Sequence, residues 1–155
     1  MEDKNNIHRF LEKEEITNII NLIKEIEVLD VKCRLYLLTL GFRSIDIQNL
    51  TIEEGEKLIN EGNIPDYMAT DLTLSLNNRL KSIKEKGLTE DIEYFFANLN
   101  DKHIHDRYPL NDWRRFLKHN KLGNINMNVY RQSINYFKLY DKYQKSKEKE
   151  YEMEV

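Results

Sequence analysis

The sequence predicts a mainly α-helical domain of about six helices, and three observations carry that prediction. Apolar residues recur at helical spacing along most of the 155 residues. Only two prolines and five glycines occur, too few for a turn-rich sandwich. No segment alternates convincingly between apolar and polar; "LTLSL" at 72–76 comes nearest, and it continues a helical pattern. With 40% apolar and 33% charged residues, the chain can bury one core and remain well solvated. The expected organisation is a flexible N-terminus over residues 1–8, one helical domain over 9–143, and a charged tail over 144–155.

The elements follow in order. In "IHRFLEKEEITNIINLIKEI", Phe10, Leu11, Ile16, Ile19, Ile20, Ile23 and Ile26 trace one helical face. "VLDVKCRLYLLTL" is apolar on most sides, as a central buried helix would be. Gly41 then offers a turn, and Ser44 is placed to cap a short helix, "IDIQNL". Thr51 and Glu54 stand in capping-box spacing. Pro65 can open a long helix over 66–86, which Gly87 closes. Thr89 would cap a helix over 90–100, "EDIEYFFANLN". A polar loop with two histidines follows, and Asn111 would cap a helix that Gly123 ends. The last pattern runs from about Met127 into a charged end.

Composition excludes several classes. No apolar run approaches the roughly 20 residues that cross a bilayer. The opening "MEDKNN" does not read as a signal peptide. Cys33 is alone in an apolar stretch, which fits a reducing compartment, so the cytoplasm is expected. His8, His103, His105 and His119 lack partners at ligand spacing, so no metal and no cofactor are expected. No Gly-rich phosphate loop or GxSxG motif occurs. The net charge of −3 is unevenly spread. From Asp101 to Lys147 eleven basic and four acidic side chains leave about +7, and so about −10 elsewhere. Such a local field can hold phosphates on an acidic protein.

Three stretches, in order, resemble the catalytic domain of tyrosine recombinases, the phage integrase family. "RFLEKEEITNIINLI" carries Leu11 and Glu15 where that domain commonly opens with Leu-Thr-x-Glu-Glu. "LYLLTLGFRSIDIQNL" is similar to the family's first box, with Gly41, Phe42, Arg43, Asp46 and Leu50. "NVYRQSINYF" is similar to the second box, with Asn128 at the histidine position and Arg131 at the arginine position. The lead-in "YFFANLNDKHIHDRYPLNDWRRFLKHNKLGNINM" also looks like the family, and the likeness covers roughly residues 9 to 140.

The resemblance implies a recombinase-like core, double-stranded DNA as partner, and Arg43 and Arg131 as two guanidiniums on one phosphate. It also implies an oligomer formed through the C-terminal helix. The departures imply lost cleavage. Asn128 cannot exchange a proton near neutral pH as histidine does. Only about fifteen residues separate Leu50 from Pro65, so the lysine-bearing β-hairpin would be reduced or lost, with Lys57 its sole candidate. No Leu-Gly-His box follows Arg131, and Tyr136, Tyr140, Tyr143 and Tyr151 stand in the wrong places for the nucleophile. The expectation is therefore an inactive DNA-binding relative, such as a phage or mobile-element repressor, whole or excised from a longer protein. Arg43, Asn128 and Arg131 would hold phosphate, and Arg114, Arg115, Lys118 and Lys121 would add a basic surface. Trp113 and Phe116 read as core residues. The competing expectations are an active or partner-dependent integrase fragment and a helical protein-interaction module.

Overall fold

The structure, a computed structural model of the chain, describes residues 10–87, 94–97, 104 and 107–138. Its helices are α1 (Lys13–Lys24), α2 (Leu29–Thr39), α3 (Ser44–Gln48), α4 (Ile52–Glu61), α5 (Asp66–Lys86) and α6 (Arg107–His119), followed by α7 over 127–138. Among the described residues there is no strand; an isolated antiparallel bridge joins Thr51 to Tyr94. The mainly helical class is as the periodicity predicts.

α2 is the axis of the domain, because its apolar residues point to every side. Cys33, Leu35, Tyr36, Leu37 and Leu38 are all essentially inaccessible. α1, α3, α5 and α6 pack around this helix, and α4 packs on α5. One core joins them, from Ile19 and Ile23 of α1 to Trp113 and Phe116 of α6 and Tyr130 of α7. Trp113 stacks between Phe116 and Tyr130, at centroid distances of 5.7 and 4.7 Å, and donates its indole N–H to Ile125 O. Trp113 and Phe116 are thus core side chains.

Several helix ends follow the sequence reading. Thr51 Oγ1 accepts from Glu54 N while Glu54 Oε1 accepts from Thr51 N, a complete capping box. Gly87 closes α5 in the left-handed conformation, with φ of 66°. Other ends differ. The N-cap of α3 is Arg43, not Ser44: the Asp46 carboxylate accepts from Arg43 N, and Ser44 is the first helical residue. α6 begins at Arg107, ahead of Asn111, with Pro109 in its first turn, where a missing N–H costs nothing. α6 ends at His119, and the left-handed residue that closes it is Lys121, not Gly123: Lys121 takes a φ of 54°, and Leu122 N reaches back to Leu117 O.

The helix expected over 90–100 is not formed at its described residues, 94–97. Phe95 N donates to Leu50 O, and Tyr94 O accepts from Arg79 Nε. Tertiary partners satisfy this backbone, and both Phe95 and Phe96 are buried. The proposed cap Thr89 lies outside the described residues, as do His8, His103, His105, Tyr140, Tyr143, Tyr151 and the expected tail.

Candidate phosphate-binding site

Gly41 sets the geometry. It follows the C-cap of α2 with φ of 104°, which L side chains rarely adopt. Gly41 N donates to Leu38 O and Phe42 N to Leu37 O, the two bonds of a Schellman turn. The turn reverses the chain into α3. Arg43 is held there by Asp46, whose carboxylate accepts from Arg43 Nε (3.2 Å) and Nη2 (3.4 Å) as well as from its backbone N. The Arg43 side chain is 65% exposed, so the pair faces solvent.

α7 brings the second guanidinium. Asn126 caps that helix, its Oδ1 accepting from Asn128 N and Val129 N. Tyr130, on the inner face, lies 2.6 Å from Thr39 Oγ1. Thr39 spends its own hydroxyl proton on Leu35 O, so the Tyr130 hydroxyl is the donor. This bond locks α7 against the last turn of α2. The next residue, Arg131, therefore lands on the Gly41 turn and donates to Gly41 O from Nε (3.3 Å) and Nη2 (3.1 Å). Its Nη1 donates to Asn128 Oδ1 at 3.0 Å. Arginine only donates, so Asn128 must present its oxygen here, which leaves its amide nitrogen to donate elsewhere.

Arg43 and Arg131, far apart in sequence, thus converge on one turn. Their fields overlap. The hydrogen bond from Arg43 holds the Asp46 carboxyl below the usual carboxylate range, and the charge of Arg131 also contributes. Burial pulls the Arg131 guanidinium down; Asp46 opposes that shift and Arg43 adds to it. Two guanidiniums and one carboxylate leave a net single positive charge. Arg131 keeps two of its five N–H donors beyond those three bonds, and Arg43 keeps three. The arrangement can hold an anion, but Asn128 supplies no titrating group for proton transfer.

The secondary candidates divide. Arg114 and Lys118 lie on the outward face of α6, one turn apart, and exposed Lys121 follows them. Arg115 is also exposed, but it borders a groove shared with α1. Lys57 sits exposed on helical α4, so no hairpin carries it. Tyr136 packs on Phe10 and Phe137. Among the described residues no cluster of His, Cys, Asp and Glu could hold a metal, and no helix is long and apolar enough to cross a membrane.

Two features escape a sequence reading. Arg34 and Asp112 form a buried ion pair between α2 and α6, Nε to Oδ2 at 2.6 Å. Asn126 is the α7 cap; an Asn two residues before "NVYR" is its only signal, and Asn124 competes for it. No protein-family model, curated protein or solved structure matches the chain.

Proposed function

We propose that this chain is a DNA-binding domain of tyrosine-recombinase type that has kept the phosphate grip and lost strand cleavage, and that it serves as a regulator or repressor. One observation carries the reading: Arg131 hydrogen-bonds the carbonyl of Gly41, two residues from Arg43. That juxtaposition is what the two boxes of the resemblance require, and chance gives no reason for it. The net charge of the cluster matches the single charge of a phosphodiester, so duplex DNA is the expected ligand. Asn128 supports Arg131 and can donate its amide to the same phosphate. Arg114, Lys118 and Lys121 supply further backbone contacts, which set affinity rather than sequence choice.

The test is duplex binding by fluorescence anisotropy at several salt concentrations. Arg43→Ala and Arg131→Ala should each weaken binding, roughly tenfold for a lost charged contact. Binding by both variants equal to the parent chain would refute the grip. A covalent protein–DNA adduct on a nicked substrate would instead show an active recombinase.

A further inference from the structure

We propose that the groove between the end of α1 and α6 is the contact surface for a second copy of this chain. The groove encloses about 540 Å³. Leu22, Ile26, Val31 and Phe116 give it an apolar lining. One rim is acidic, with exposed Glu25 and Glu27; the other is basic, with exposed Arg115 and with His119. None of Glu25, Glu27 and Arg115 has an ion-pair partner among the described residues.

Val28 stands at the mouth and is 62% exposed. It is also the N-cap of α2 and makes no side-chain capping bond. Ser, Thr, Asp or Asn is strongly preferred at that position, and valine is among the worst choices. An exposed β-branched residue that weakens its own helix is a local rule broken, and such breaks mark sites kept for another purpose.

The occupant follows from charge. A two-fold axis along the groove carries the acidic rim of each copy onto the basic rim of the other. Glu27 then faces Arg115 twice, and each Val28 enters the opposing apolar groove. Self-complementarity of this kind is what an isologous dimer needs. A groove for a foreign helix would not need both signs arranged in this way.

The test is sedimentation equilibrium of the full chain without DNA, from micromolar to millimolar concentration. The parent chain should pass from one to two copies. Glu27→Arg alone and Arg115→Glu alone should each shift the transition at least roughly tenfold toward monomer, because each interface then opposes like charges twice. An equimolar mixture of the two variants should associate again, since every facing pair is restored. Val28→Ser should weaken association while raising the melting temperature of the monomer. A parent chain that stays monomeric throughout would overturn the proposal and leave the groove to another protein. A dimer indifferent to both charge reversals, or a mixture that fails to associate, would overturn it equally.

Discussion

Gly41 joins chain geometry to charge. Its positive φ turns the backbone, and the turn aims its carbonyl at Arg131. A Cβ there would meet nothing within 4 Å, so the obstacle to substitution is conformational. Gly41→Ala should cost roughly 1–2 kcal/mol in urea unfolding, the usual left-handed penalty. Lys121 makes the opposite case, a lysine in a left-handed position. Lys121→Gly should stabilise by up to about 1 kcal/mol; if Lys121 contacts phosphate as proposed, DNA affinity should fall as stability rises. Cys33 has no exposed surface, and burial with nearby Asp30 and Asp71 pushes its thiol up to about 12. Well below pH 9 the thiol is mostly neutral in both folded and unfolded chains. Above it only the unfolded chain ionises, so stability should fall as pH rises from about 9 toward 12. Buried Tyr36 and Tyr130, both pushed up, act in the same direction. Thiol labelling at pH 8 should be slow in the native state and fast in denaturant.

At the scale of elements, caps and periodicity were legible where the signal was local. Thr51 with Glu54 and the glycine after α5 needed only neighbours in sequence. Ser44 and Asn111 misled because each has a capping side chain, while the chain found other partners: Asp46 for the Arg43 amide, and an earlier start for α6. The stretch at 94–97 was illegible because its hydrogen bonds go to Leu50 and Arg79, which no window around Phe95 contains. Gly55 reveals the same contact from the other side. A Cβ there would lie 2.3 Å from the ring of Phe95. Alanine improves helix propensity by up to about 1 kcal/mol, but overpacking costs about 1–3. Gly55→Ala should therefore destabilise, by thermal melting, despite its better propensity. The Arg34–Asp112 pair ties α2 to α6, with the guanidinium also over the rings of Phe96 and Tyr108. Asp112→Ala should cost roughly 3–5 kcal/mol, because it strands a buried cation. Arg34→Met with Asp112→Leu should recover most of that loss.

On the scale of the whole molecule, α2 is the frame. Its C-terminal turn presents Gly41 and Arg43, and Thr39 docks α7 so that Arg131 bonds the Gly41 carbonyl. The arginine pair was legible in sequence only through the order of two short boxes. Its closeness needed the fold, since Tyr130, not Arg131, does the positioning. The basic residues of α6 also divide in space. Arg114 and Lys118 share the outward face of α6, whereas Arg115 turns toward the groove. Linear charge could not separate them. A domain carrying −3 overall can still bind duplex DNA if these faces dominate the local field, and its affinity should fall steeply with salt.

The central claim is that Arg43 and Arg131 hold one and the same phosphate. A double-mutant cycle on duplex affinity, measured across salt, tests it most directly. Circular dichroism should show each variant folded, although Arg131→Ala also loses its bonds to Gly41 and should melt lower. Each single variant should reduce the salt slope by no more than about 0.9, and the double variant by about 0.9 in total, the loss of one phosphate contact. Additive losses, with the double variant reducing the slope about twice as much, would place the two arginines on separate phosphates. No loss in either variant would contradict the account altogether.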